Sequence, residues 1–171
     1  MSAPPPIHSM MFDLASARAG ASARVTPDEA ERAVIARALD LASLGRLDVT
    51  FEISGGRGEW RLSGHIDAEG EQVCGVTLAP LAFRISEPFS LWLVQGDQAP
   101  VGEDGVLELN PDDEGPDLID SPRVDLGVYA VEQLALRLDP FPRAPGAVFE
   151  APESEAPPSP FAVLARLRDQ D

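Results

Sequence analysis

Leu47 to Ile66, LDVTFEISGGRGEWRLSGHI, is the stretch whose reading decides the fold. Leu47, Val49, Phe51 and Ile53 alternate with Asp48, Thr50 and Glu52, the period of a strand with one face buried. Trp60, Leu62 and Ile66 alternate on the return, and Ser54-Gly55-Gly56-Arg57-Gly58 lies between. The pattern is that of a β-hairpin. Downstream, Ala68-Glu69-Gly70-Glu71 reads as a second turn and Val73–Leu78 as a third strand. Phe83 and Ile85, then Phe89–Val94, continue the apolar runs. Successive strands joined by short Gly-rich turns favour an antiparallel sheet.

Helical spacing flanks this region on both sides. Upstream, Thr26 reads as an N-cap, Pro27 as the first helical position and Glu29 as the partner in a capping box. Val34, Ile35, Ala38, Leu39, Leu41 and Ala42 give the apolar rows, and Gly45 gives the stop. Downstream, Asp125 opens a helix that Pro140 ends. Its apolar side is expected to carry Gly127, Val128, Val131, Leu134, Ala135 and Leu138. Its other side gathers Tyr129, Glu132, Gln133, Leu136 and Arg137. The fold class is therefore α+β: a mostly antiparallel, curled sheet packed with two main helices, plus a short C-terminal helix. The strand spacing is compatible with a partial barrel.

The remaining segments are punctuated by composition. Residues 1–24 read as a weakly ordered N-terminal segment, with Met10, Met11, Phe12 and Leu14 as an apolar patch suited to a short edge strand. Residues 25–146 form one domain. Within it, 95–123 is an acidic loop holding nine carboxylates against a single arginine, with Val106–Leu109 suited to a brief strand. Residues 147–158 are a Pro-rich linker. Residues 159–171 carry the short terminal helix, with Phe161, Leu164 and Leu167 on one side.

The chain has 171 residues and a net charge of −16, and every one of its 13 basic residues is arginine. A surface this acidic repels phosphate and attracts basic proteins. The single cysteine, Cys74, excludes an intramolecular disulfide. No stretch approaches the roughly 20 apolar residues of a membrane helix. The opening MSAPPPIHSMMF lacks the charged and apolar regions of a secretory signal, so a cytoplasmic setting is expected.

No catalytic motif emerges, and no cofactor is implied. Gly55-Gly56-Arg57-Gly58 sits in a hairpin turn, not between a strand and a helix, so it is no phosphate loop. His65 and Cys74 alone do not make a zinc site. Asp112-Asp113-Glu114 lacks the alternating spacing of a calcium loop. Two readings from other classes stay open. One is a metal-dependent or hydrolytic RNA-processing enzyme using Glu87, Glu132 and the acidic loop. The other is direct RNA binding through Arg57, Arg61 and Arg84. The helix face of Tyr129, Glu132, Gln133, Leu136 and Arg137 is the candidate partner-binding surface, since it mixes an aromatic, an amide, an apolar group and both charges.

Two motifs in order add a resemblance. Val73-Cys74-Gly75-Val76-Thr77-Leu78-Ala79-Pro80 with Ile85-Ser86-Glu87-Pro88-Phe89 resembles the central motif of the bacterial YceD family. Asp125-Leu126-Gly127, Glu132–Leu136 and Leu138–Gly146 resemble its second motif. The ending Ser159-Pro160-Phe161-Ala162-Val163-Leu164 looks like that of alphaproteobacterial members. The resemblance implies a non-enzymatic role in accumulation of large-subunit ribosomal RNA and biogenesis of the large ribosomal subunit. Joined to the net charge of −16, it points to a basic ribosomal protein or a large-subunit assembly intermediate as partner. Many relatives carry a second cysteine three positions after the first; here Thr77 stands in that place. Cys74, Pro80, Glu87, Phe89, Asp125, Glu132, Gln133 and Pro140 match family motif positions. The family supplies no catalytic residue to transfer.

Overall fold

The computed structural model describes residues 8–17, 20–96 and 115–149. The expected strand at Val106–Leu109 and the terminal helix within 159–171 lie outside these residues, as does most of the linker.

The hairpin forms, and it is longer than its alternation suggested. Strand β3 spans Ser43–Gly56 and β4 spans Glu59–Val73, with Ile53 opposite Leu62 and Val49 opposite Ile66. Arg57 (φ 58°) and Gly58 (φ 88°) turn the chain. The expected turn at Ala68–Glu71 is absent. β4 runs straight through it, because Gly70 packs there and does not bend the chain: a Cβ at that position would lie 2.4 Å from the Ser43 carbonyl oxygen and 2.9 Å from the Phe83 ring. The reversal falls instead at Cys74–Ala79, where the Cys74 N–H donates to the Ala79 carbonyl and the Leu78 N–H to the Cys74 carbonyl. The expected strand at Val73–Leu78 is thus a turn. Phe83–Ile85 and Phe89–Val94 belong to one strand, β5, Pro80–Gln95.

Two more strands complete the sheet. β2, Ala21–Val25, lies antiparallel to β3, and a short β6, Asp117–Ile119, runs parallel to the end of β5. The order is β2-β3-β4-β5-β6, open at both ends, so among the described residues no barrel closes. The class is α+β with mostly antiparallel pairing, as expected. A separate pair joins β1, Met11–Asp13, to β7, Arg123–Asp125. The N-terminal segment, expected to be weakly ordered through residue 24, therefore supplies two strands. Both are held by register rather than by length: Val25 faces Val49 and Met11 faces Asp125.

One face of the sheet is apolar and the other polar, the pattern of an antiparallel sheet with one side wet. The core gathers Val49, Phe51, Ile53, Leu62, Ile66 and Leu93 from the sheet with Ile35 and Leu134 from the helices. Helix α1 spans Glu29–Ala38. Its cap is Asp28, not Thr26. The Asp28 carboxylate accepts from the Glu31 N–H at 2.9 Å, and the Glu31 side chain accepts from the Asp28 N–H at 2.8 Å. Thr26 follows directly on β2, so the chain needs two further residues before it can coil. Gly45 does not stop the helix; it sits in β3 at the register shift between Leu44 and Arg46.

Helix α2 spans Leu126–Ala135. Its buried side is Leu126, Gly127, Ala130, Val131, Gln133 and Leu134. Val128 and Ala135, expected to be interior, are exposed, and Gln133, expected on the polar side, is interior. The helix is rotated so that its N-terminus packs under residues 8–10. A Cβ at Gly127 would lie 2.6 Å from the His8 carbonyl oxygen.

Candidate functional site

Asp125 fixes where α2 starts. Its carboxylate accepts from the Gly127 N–H at 3.0 Å and the Val128 N–H at 3.4 Å, which caps the helix. It also accepts from the Ser9 hydroxyl at 2.6 Å and the Met10 N–H at 2.7 Å. The Leu126 N–H donates to the Met10 carbonyl. Burial pushes the Asp125 carboxyl up, but these donors outweigh it, and the group sits below the usual carboxylate range. The N-terminal segment is thereby tied to α2.

With its start fixed, α2 projects its other residues across the outer edge of β5. Arg137 spans the gap. Its Nη1 donates to the Gln133 carbonyl at 3.0 Å and to Gln133 Oε1 at 2.8 Å, and its Nη2 donates to the Pro88 carbonyl at 3.1 Å. Its Nε lies 3.3 Å from Glu87 Oε2, an ion pair rather than an aligned hydrogen bond. Pro88 has no N–H to give, which restricts it to an edge strand, and Arg137 covers its carbonyl. The two together blunt this edge locally, at Pro88.

Between the edge and the helix lies a cleft of about 1020 Å³. Its walls include Arg61, Glu87, Phe89, Ser90 and Trp92 from the sheet, Asp117 from β6, Glu132 and Gln133 from α2, and Leu136 and Arg137 from the turn that ends it. Leu136 is 71% exposed at the rim. Burial raises the Glu132 carboxyl pKa, and the neighbouring Asp117 raises it further. Tyr129 lies in an adjoining cleft that shares Asp117 and Glu132. Burial, then Asp117 and Glu132, push its phenol up to about 12.

Of the candidate partner-binding residues, Glu132, Gln133, Leu136 and Arg137 thus line one cleft, and Tyr129 stands beside it. The alternation of apolar residues did not single out Asp117, Ser90 and Trp92 as site residues. Pro88 was the available signal, since a proline inside a strand marks an exposed edge.

Several motif positions pack or shape the chain. Phe89 is buried against Phe51. Pro80 opens β5, and Pro140 lies exposed beyond α2. Cys74 is buried, and its sulfur accepts from the Thr77 N–H at 3.4 Å and the Ala144 N–H at 3.2 Å. A hydrogen bond from the Thr77 side chain, then the surrounding backbone N–H groups, lowers its pKa to about 6. Gly75 N–H donates to the Pro142 carbonyl, so the Cys74 turn is the anchor for the proline-rich exit of α2.

Among the described residues no three His, Cys, Asp or Glu side chains gather as metal ligands. No described helix is long and apolar enough to cross a membrane. On the polar face, Arg84 pairs with Glu69 at 3.4 Å and Arg61 donates to the Ser90 hydroxyl at 3.2 Å. Arg24 makes a two-pronged pair with Asp48, whose carboxyl is held low by that contact.

Comparison with known families agrees with the motifs. The profile of the family described as Large ribosomal RNA subunit accumulation protein YceD matches residues 62–168, well over half of the chain. The chain belongs to the YceD family. No curated protein and no solved structure matches it.

Proposed function

We propose that this chain serves large-subunit ribosomal RNA accumulation as a non-enzymatic cytoplasmic factor, by holding a basic protein partner in the cleft between α2 and β5. The partner is a ribosomal protein or a protein of a large-subunit assembly intermediate. The family supplies the process. The observation that carries the mode of action is the cleft itself. Asp117 and Glu132 stand together there with no cation paired to them among the described residues, beside Trp92 and the exposed Leu136. The net charge of −16 draws a cationic partner toward it.

The rival readings find less support. Glu87, one carboxylate of the enzymatic reading, is engaged by Arg137. Of the arginines named for RNA binding, Arg84 is matched by Glu69, and Arg61 shares its strand with Glu59, Asp67 and Glu69. The test is affinity capture of the full chain from lysate at moderate salt, followed by gradient fractionation. Recovery of ribosomal proteins with large-subunit precursors is expected. Recovery of neither overturns the proposal.

A further inference from the structure

Gln133 is 3% exposed, yet only its oxygen has a partner among the described residues. A guanidinium only donates, so the Gln133 atom facing Arg137 Nη1 at 2.8 Å must be the oxygen. The side-chain nitrogen, with two N–H groups, then has no hydrogen-bond acceptor among the described residues, and Gln133 lines the cleft. The residue is otherwise packed, so this donor can be met by an acceptor entering the cleft.

The strand opposite offers a matching feature. The Gln95 N–H donates inward to the Gly58 carbonyl, and the Pro88 carbonyl faces outward to Arg137. Alternation along β5 therefore turns the Ser90 N–H and C=O outward with Pro88. β6 covers this edge only from Leu93 to Gln95, and Arg137 covers it at Pro88. Ser90 lies between the two, on the cleft wall. Among the described residues the site thus presents a backbone donor and acceptor at Ser90, an amide donor without an acceptor, and two carboxylates without a paired cation.

We infer that this cleft binds an extended peptide segment bearing arginine or lysine. Its main chain pairs with the edge of β5 at Ser90, one of its carbonyls accepts from Gln133 Nε2, and a basic side chain enters between Asp117 and Glu132. Strand addition supplies affinity through the main chain and selectivity through the side-chain site. The chain's own residues 97–114 are poor occupants by charge, with seven carboxylates and no basic residue. An incoming cation relieves the repulsion between Asp117 and Glu132, where another carboxylate adds to it. The inference rests on the proposed function, because it names the kind of segment the basic partner would insert.

The experiment uses the full chain and three end-blocked, fluorophore-labelled nonapeptides, read by fluorescence anisotropy at about 150 mM salt, where the Debye length is about 8 Å. One peptide alternates arginine and valine, one is its copy N-methylated at alternate amides, and one alternates glutamate and valine. The first is expected to bind, the second about tenfold or more weaker, and the third not at all. The rim variant Glu132→Arg and the floor variant Gln133→Leu are each expected to weaken the first peptide about tenfold, with thermal unfolding confirming that each remains folded. Equal binding of the N-methylated copy, or parent-like binding by a folded Glu132→Arg variant, overturns the inference. Lysate capture of ribosomal proteins that survives Glu132→Arg overturns the inference and removes the cleft as the means, leaving only the role in ribosomal RNA accumulation through a basic partner.

Discussion

Phe51 and Phe89 meet edge to face, with ring centroids 5.3 Å apart and planes at 73°, across a strand that belongs to neither. Phe51 is on β3, Phe89 on β5, and Gly64 of β4 lies in register with both. The rings can touch because the residue between them has no side chain. This contact links the centre of the core to the edge strand that walls the cleft. Such a pair contributes about 0.5–1.5 kcal/mol beyond the area it buries.

Gly64→Ala tests that arrangement. The added Cβ would lie 1.8 Å from the Thr50 carbonyl oxygen and 2.8 Å from the Phe89 ring. The first contact is with backbone, which cannot step aside without breaking the β3–β4 ladder. We expect a loss of at least ~2 kcal/mol in denaturant unfolding. Phe89→Ala removes the ring instead and should cost about 3–5 kcal/mol. A Gly64→Ala variant as stable as the parent would mean the strands sit further apart than described.

Asp125→Ala should release both the cap of α2 and the N-terminal segment, at a cost of about 2 kcal/mol. The pH dependence gives a sharper reading. The folded carboxyl is held below the unfolded value of about 3.9, so its contribution is complete above that value and lost as pH falls through the lower folded value. Asp125→Asn should therefore lose most relative to the parent above about pH 5, and the two should converge toward pH 2. Acid unfolding curves of the pair, followed by circular dichroism, check this.

The anchoring turn at Cys74 has its own pH signature. The folded thiol titrates near 6, against about 8.5 in the unfolded chain. A depressed acid pKa adds stability as pH rises through this interval, and that stability is lost as pH falls back through 6. Parent protein should gain stability between pH 6 and 8.5, and Cys74→Ser should show a flatter profile. Thiolate absorbance near 240 nm locates the midpoint directly. Since the sulfur is buried, alkylation of the folded protein should be slow at pH 7 despite the thiolate.

How much of this could be read beforehand follows the physics of each element. The β3–β4 hairpin was legible because alternation of apolar residues reports directly on a sheet with one wet face. Gly70 was misleading, since glycine serves close approach as well as turning, and sequence does not say which. Asp28 and Thr26 are both good caps; the choice fell to Asp28 because β2 holds the chain extended through Val25. The orientation of α2 depended on His8 pressing against Gly127, a contact between segments more than a hundred residues apart. That rotation buried Gln133 and exposed Val128. Four of the five candidate residues on and just beyond α2 still share the cleft, because spacing close to helical keeps them on neighbouring turns. Asp117 was hidden among many acidic neighbours, and only pairing of β6 with β5 brings it to the site.

Tyr129 offers a direct probe of the carboxylates at the cleft. It is the only tyrosine in the chain, so alkaline difference absorbance near 295 nm reports on it alone. Burial, Asp117 and Glu132 together push its pKa to about 12, against an ordinary value of about 10. Asp117→Asn and Glu132→Gln each remove a negative charge that disfavours the phenolate, so each should lower the midpoint, and the double variant should lower it further. Burial remains, so the double variant should stay above the ordinary value. The arginine–valine peptide should lower the midpoint as well, by setting a cation beside the same groups. A parent midpoint near 10 would mean that Tyr129 is solvated and lies apart from both carboxylates.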